Sequence, residues 1–396
     1  MNPLAFELCR DLKEISLKKK KKMRVLFFGR DTFSDNSKYL YLYMLEHYPH
    51  LDICWCSPNS SLIATLKSRE LPCYDLGSNL HQSMDFLLES SIAIFCVNPL
   101  ESVGHNLLLL ACLHGALTFQ MWHGIGPKQA DLALTSVKKI SDLSATKLMV
   151  GAAFPEYYIS SSEFIDSRWH AFFGATKFIR ASYPRNELMF REAAPMEKIG
   201  AELSEPVEEV LYHSGNTNVL LAPTWEPDAG LNNIALLSKL VIHCQKRKIN
   251  VFIKKHPFIS DNNDAARNIK NLYTIPSNID IYPHLKIFDA LITDYSSIIY
   301  DYILTGKPVA TTDISKGEDF DFELIPGDDQ YRFKINESNV GASLDEMLNS
   351  DMKKDNRAEL ASIIFESDNT QASKVIAEKI LNIYEFKATK SAFEII

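Results

Sequence analysis

The 396-residue sequence has no apolar run of 18 residues, so no segment has the make-up of a membrane-spanning helix. Residues 1–17 alternate polar and apolar side chains and lack the apolar stretch of a secretion signal. No two cysteines form a CxxC pair. The seven cysteines, at 9, 54, 56, 73, 96, 112 and 244, sit mostly in apolar runs such as Ile53-Cys54-Trp55-Cys56, and read as small buried hydrophobes in a reducing compartment. A cytoplasmic protein is expected. Glycine and proline are modest at 15 and 17, which excludes collagen-like and low-complexity chains. No GxGxxG follows the first strand-like run, and GxxxxGK[ST] and HExxH are absent. These absences argue against a nicotinamide dehydrogenase, a P-loop kinase and a zinc hydrolase. Lys and Arg number 42 against 50 Asp and Glu, a net charge of −8, which argues against nucleic acid as partner.

What the chain does have is apolar material for more than one core: 46% of residues are hydrophobic, and at about 150 residues per domain the length predicts two or three domains. Basic charge is concentrated in the first 24 residues, in Arg10, Lys13, Arg24 and the run Lys18 to Lys22. Short apolar runs at Arg24 to Gly29, Leu51 to Cys56, Ile92 to Val97, Leu117 to Trp122 and Lys147 to Gly151 alternate with helical patterns. After a polar stretch at Pro184 to Gly215 a second series follows, at Asn218 to Ala222, Asn250 to Lys254, Ile279 to Tyr282, Asp289 to Thr293 and Pro308 to Thr312. Strands alternating with helices predict doubly wound parallel sheets. The expected organisation is an α/β protein with two facing Rossmann-like domains and a cleft between them. Residues 1–22 form a basic arm, 23–190 and 191–370 the two domains, and 371–396 a helix that can cross back to the first. Ligands then belong at the carboxyl ends of the strands.

Three strings stand at such ends. Trp122-His123-Gly124-Ile125-Gly126-Pro127-Lys128 puts His123 on a glycine-flanked turn, where a histidine can take a proton from a hydroxyl near neutral pH. A turn histidine bonded to nearby carbonyls is the plain alternative. Lys254-Lys255-His256-Pro257 follows a strand in the second half and can stabilise phosphate charge, or be a solvated strand end. Asp294-Tyr295-Ser296-Ser297 lies between a buried strand and a helix, with Asp301 four residues after Ser297. Hydroxyls and free N–H groups there suit a diphosphate, with Asp301 placed for ribose hydroxyls; a plain capped helix is the alternative. Thr224-Trp225 and Arg185-Asn186 occupy comparable places, with loop packing as the alternative. The acid pair Asp319 and Asp321 lies in an acidic loop and reads as solvated.

Taken in order, Trp122-His123-Gly124, Tyr183-Pro184-Arg185-Asn186, Ala222-Pro223-Thr224-Trp225, His256-Pro257 and Leu291-Ile292-Thr293-Asp294-Tyr295-Ser296-Ser297 resemble the CDP-glycerol glycerophosphotransferase family of teichoic acid and capsule synthesis. The resemblance covers about Phe119 to Leu348. It implies a GT-B fold and a reaction without metal or other cofactor, in which an acceptor hydroxyl attacks the β-phosphorus of CDP-glycerol and releases CMP. By position it makes His123 the general base and His256 the group that stabilises the transferring phosphate. It makes Thr224, Lys255, Asp294, Ser296, Ser297 and Asp301 donor contacts, with Trp122, Gly124, Lys128, Arg185 and Asn186 as weaker acceptor or phosphate contacts.

Two departures stand out. Glu226-Pro227 replaces the Arg common after Ala-Pro-Thr-Trp, and Ile125-Gly126-Pro127 replaces Thr-Pro-Leu after His123. CDP-ribitol remains open as donor. The modest length favours a priming or linking transferase over a polymerase. A lipid-linked saccharide acceptor fits residues 1–22: Leu4, Leu8, Leu12 and Ile15 recur at helical spacing before the lysines, as in a helix lying on the anionic inner face of the cell membrane, although a solvated arm has the same composition. A GT-B nucleotide-sugar glycosyltransferase and a non-catalytic polymer-binding module are the rival readings.

Overall fold

The computed structural model describes residues 3–126, 130, 132–133, 149–224, 229–254, 271–312 and 328–393. They divide into two compact units. Unit 1 draws on Met1–His123, Ala130–Glu187 and Phe365–Ile396, and unit 2 on Gly124–Gln129 and Leu188–Ile364. The changeover after Glu187 lies close to the expected one at 190/191. The C-terminal helix Ala372–Phe393 belongs to unit 1, where it packs on the helix Asp35–His47, and Ser373 N donates to Glu187 Oε1 at 2.6 Å.

Unit 1 holds a parallel seven-stranded sheet made of β1 (Lys22–Phe28), β2 (Asp52–Ser57), β3 (Cys73–Asp75), β4 (Ser90–Phe95), β5 (Leu117–Gln120), β6 (Tyr157–Ser160) and β7 (Phe178–Arg180), in the order β3-β2-β1-β4-β5-β6-β7. Unit 2 repeats the plan with six parallel strands, β8 (Thr217–Ala222), β9 (Ile249–Lys254), β10 (Leu272–Ile275), β11 (Ala290–Thr293), β12 (Val309–Thr312) and β13 (Phe333–Ile335), in the order β10-β9-β8-β11-β12-β13. In both, the chain starts in mid-sheet, winds outward, and returns to wind the other way. The reversal lies between β1 and β4 and between β8 and β11, where the diverging loops leave room for a ligand.

The central strands are continuous apolar runs because helices cover both faces. Val25, Leu26, Phe27 and Phe28 are all fully buried, and Phe28 stacks on Phe95 of the neighbouring strand at 4.7 Å. Such a pair adds about 0.5–1.5 kcal/mol beyond its area. Helix starts rely repeatedly on asparagine: Asn59, Asn79, Asn98, Asn106 and Asn233 each accept backbone N–H groups of the following first turn.

The N-terminal stretch differs from the expected free arm. Pro3–Lys18 is a helix whose Leu12 enters the unit 1 core and whose buried Ser16 accepts from Gly115 N at 2.9 Å and donates to the Cys112 carbonyl at 2.5 Å. The lysine run is largely committed to the fold. Lys19 lies near Asp85 and Glu89, Lys22 pairs with Glu89, and Lys21 donates to the Leu88 carbonyl and Ser16 Oγ, with burial lowering its pKa to about 8. Leu8, Ile15 and Leu17 remain exposed, so the apolar side of the helix is shared between the core and solvent.

Candidate active site

In unit 1 the site is built at the carboxyl ends of β1, β4 and β5. Pairing aligns Phe28 with Phe95 and Phe95 with Gln120, so the chain leaves all three strands at one level. Beyond β5 the backbone turns at Trp122 with φ +60°, a conformation rare for a bulky residue, and again at Gly124 with φ +116°, which glycine alone tolerates well. Strain of this kind costs about 1–3 kcal/mol and persists only where surrounding contacts enforce it. Here three side chains do so. Gln120 Oε1 accepts from Trp122 N at 2.9 Å while its Nε2 donates to the Val97 carbonyl, and Asn36 Nδ2 donates to the Trp122 carbonyl at 2.8 Å. Arg185 donates to the His123 carbonyl at 2.9 Å and to Asp35 at 2.7 Å.

His123 stands on this clamped turn, its ring 4.2 Å from that of Trp122. The ring is half-buried, with Nδ1 fully inside and without a hydrogen-bond partner. Burial holds its pKa well below the usual histidine range; the positive charges of Arg30 and Arg185 add to this, and the Cys96 backbone opposes it. The imidazole is neutral at pH 7, the form a base requires.

Arg185, expected as a phosphate contact, is 3% exposed and engaged with Asp35 and His123, so it holds the turn from behind. Asn186 is fully buried, and both polar atoms of its side-chain amide are without a hydrogen-bond partner. Trp122 contributes its left-handed backbone conformation and a tilted ring contact with His123.

In unit 2 the reversal point is organised by Asp294, which is fully buried. Its Oδ2 accepts from Thr224 N at 2.8 Å and Thr224 Oγ1 at 3.1 Å; its Oδ1 accepts from Leu231 N at 2.9 Å and Thr312 Oγ1 at 2.5 Å. The carboxylate ties the ends of β8, β11 and β12 together, and all four donors that converge on it belong to the chain itself. Thr224, 4% exposed, donates its hydroxyl hydrogen bond to Asp294 in this arrangement. Asp301 is 1% exposed and accepts from Tyr282 Oη at 2.7 Å, so it is withdrawn from ribose hydroxyls.

Ser296 and Ser297 are the half-exposed hydroxyls of this end. The helix they introduce, Ile298–Tyr302, is shorter than expected, so its dipole contributes little and the hydroxyls dominate. A Cβ at Gly126 would lie 3.2 Å from that of Ser297, a packing that favours glycine there. Lys254 donates to the carbonyls of Pro276 and Ser277 at 3.0 and 2.7 Å, and burial lowers its pKa to about 8. Lys128, Trp225, Glu226, Pro227, Lys255, His256, Asp319 and Asp321 lie outside the described residues.

Sequence reasoning missed Arg30, Asp35, Asn36 and Gln120. A signal existed for two of them: Gln120 is the polar residue inside an apolar strand, and Arg30 directly follows the first strand, an address equivalent to that of His123.

Two parallel-sheet units with the winding reversal repeated in each define a two-domain GT-B protein. The chain belongs to the CDP-glycerol:poly(glycerophosphate) glycerophosphotransferase family, whose model matches residues 12–382. It is 22% identical over 342 residues to a teichoic acid poly(glycerol phosphate) polymerase of Staphylococcus epidermidis, covering 76% of this chain and 43% of that one. Over 122 residues it is 30% identical to the teichoic acid glycerol-phosphate primase of Bacillus subtilis, covering 28% of this chain and 32% of that one. The chain therefore spans less than half the length of these curated relatives. Its fold is similar to that of the wall teichoic acid polymerase TagF, with a TM-score of 0.74 at 19% identity over 98% of this chain and 96% of that one.

Proposed function

We propose that the protein transfers glycerol phosphate from CDP-glycerol to a hydroxyl of a lipid-linked saccharide acceptor, in teichoic-acid-like or capsule polymer synthesis. The acceptor oxygen attacks the phosphorus that bears glycerol, and its proton passes to the imidazole of His123. The bond from that phosphorus to the bridging oxygen breaks, giving a phosphodiester and CMP. The observation that carries this reading is the neutral His123 imidazole on a backbone turn whose strain is enforced by Gln120, Asn36 and Arg185. Ser296 and Ser297 are the donor-side hydroxyls, and His256 with Lys255 is assigned the transferring phosphate. The 30% identity to a primase favours addition of one or a few units. Among the described residues no helix is long and apolar enough to cross a membrane; exposed Leu8, Ile15 and Leu17 would meet the inner leaflet.

The deciding assay is CMP release from CDP-glycerol and from CDP-ribitol, with and without a lipid-linked acceptor analogue, in EDTA, for wild type and His123→Ala. Acceptor-dependent release that survives EDTA and collapses in the variant is expected, and names the donor. Release of UDP from a UDP-sugar, with none of CMP, would replace this reading by a glycosyltransferase.

A further inference from the structure

We propose that Arg30 is a phosphate-binding residue beside His123, taking an oxyanion next to the hydroxyl that this histidine activates. The inference rests on the transfer reading above. Arg30 leaves β1 two residues beyond Phe28, and Trp122 leaves β5 two residues beyond Gln120. Phe28 and Gln120 flank Phe95 in the same row of the sheet, so the two exits are level at the winding reversal. The backbone before Arg30 is fixed, because a Cβ at Gly29 would stand 2.7 Å from the Trp55 indole.

The guanidinium has no use inside the fold. Its Nε is buried without a hydrogen-bond partner, and among the described residues the side chain forms no ion pair or hydrogen bond. Arg185 and Arg357 also leave Nε without a partner, but their terminal nitrogens are matched to Asp35 and Asp351, as Arg24 is to Asp52, Arg180 to Asp166 and Arg191 to Glu197. An unmatched, partly buried cation beside a base costs stability, and an arriving anion removes that cost. The guanidinium fork suits two phosphate oxygens. Its charge already reaches His123, where it disfavours the imidazolium. A bound phosphate would cancel that effect and make His123 a stronger base once substrate is in place.

The phosphate has two possible sources: the terminal polyol phosphate of an acceptor that already carries one, or the transferring group of the donor. The test uses the full chain as wild type, Arg30→Ala and Arg30→Lys. Calorimetric titration with inorganic phosphate and glycerol phosphate reads binding without turnover, and weakening of at least tenfold in Arg30→Ala, partly restored by lysine, is expected. CMP release is then followed with an acceptor ending in a bare saccharide and with one ending in glycerol phosphate. A KM increase confined to the phosphate-ended acceptor assigns the acceptor phosphate and favours chain extension over priming. A KM increase for CDP-glycerol with both acceptors assigns the donor. Equal anion affinity and unchanged KM values in all three proteins overturn the proposal. Intact anion binding with no CMP release from wild type would instead sink the transfer reading and leave the anion site standing. If Arg30→Ala fails to fold, the Lys variant and Arg30→Gln carry the comparison.

Discussion

The guanidinium of Arg185 bridges the Asp35 carboxylate and the backbone carbonyl of His123, at 2.7 and 2.9 Å, across 150 and 62 residues of sequence. His123 is thus held through its own main chain. Arg185→Ala takes the guanidinium from Asp35, whose part-buried carboxylate keeps the Asn36 N–H, and losing a hydrogen bond to a charged group costs about 1.5–3 kcal/mol. The expected result in urea unfolding is a loss of that size. CMP release should fall at least tenfold in kcat, with the KM for CDP-glycerol changing less than threefold. Arg185→Lys keeps the charge but not the fork, and should recover stability better than turnover. A variant that raises only the donor KM would return Arg185 to phosphate contact.

Asp294 makes a second prediction, about unit 2. Four donors converge on its two oxygens, and Gly230, at φ +53°, would place a Cβ 2.1 Å from Oδ1. Asp294→Asn turns an amide NH2 towards one of the two backbone N–H groups, of Thr224 or Leu231, which can only donate, and each unsatisfied buried group costs about 1–3 kcal/mol. Gly230→Ala attacks the same hub from outside. Both variants should shift the urea midpoint downward by comparable amounts. If Asp294→Asn unfolds like wild type and weakens only donor binding, the carboxylate is a ligand contact after all.

The legibility of this fold follows burial. The expected strands that materialised are β1, β2, β4 and β5 in unit 1 and β8, β9, β11 and β12 in unit 2, all interior to their sheets. Two covered faces demand an unbroken apolar run, a strong signal. The four edge strands β3, β7, β10 and β13 escaped notice because they are three or four residues long and partly exposed, and the interior β6 escaped it because, though buried, it is only four residues long. Strands expected at Lys147 to Gly151 and Ile279 to Tyr282 are instead helical at residues 149–152 and a bend leading into the helix Tyr282–Leu285. In the site, the address of His123 could be read from strand-plus-glycine punctuation. The saturation of Asp294 could not, because it depends on partners 18 to 70 residues away. The burial of Asp301 against Tyr282 was hidden in the same way, since Tyr282 read as a strand end.

The N-terminal helix divides its apolar residues between the core and solvent. Leu12 is 5% exposed, whereas Leu8, Ile15 and Leu17 are 44%, 49% and 54% exposed. Leu12→Ser opens the core, and truncating a buried leucine costs about 2–5 kcal/mol. Combined Leu8→Ser, Ile15→Ser and Leu17→Ser should leave the urea midpoint within the range of surface changes while reducing sedimentation with anionic vesicles. Unchanged sedimentation of the triple variant at low salt would remove this helix from any membrane role. Deleting residues 1–22 is the wrong test, because it removes Leu12, Ser16 and the start of β1 together.

The pH dependence follows from the sign of the His123 shift. Burial and two neighbouring arginines disfavour its imidazolium, so its folded pKa lies below the unfolded value near 6.5. The unfolded chain therefore takes up the proton first. Stability is unaffected above about pH 7 and falls as pH drops from 6.5 towards the folded pKa. His114, lowered to about 4 by burial and packed on Phe154, acts in the same direction between 6.5 and 4. Activity obeys the same ordering: kcat/KM for CMP release should stay flat from pH 7 to 6 and lose its base only below the usual histidine range. Replacing Arg30 by Gln removes a charge that opposes protonation, so the acid limb should move upward towards 6.5. His114→Phe should soften the acid loss of stability and leave the rate limb where it was. An acid limb centred at 6.5 in wild type, unmoved by Arg30→Gln, would mean that the titrating base is not this histidine in this environment.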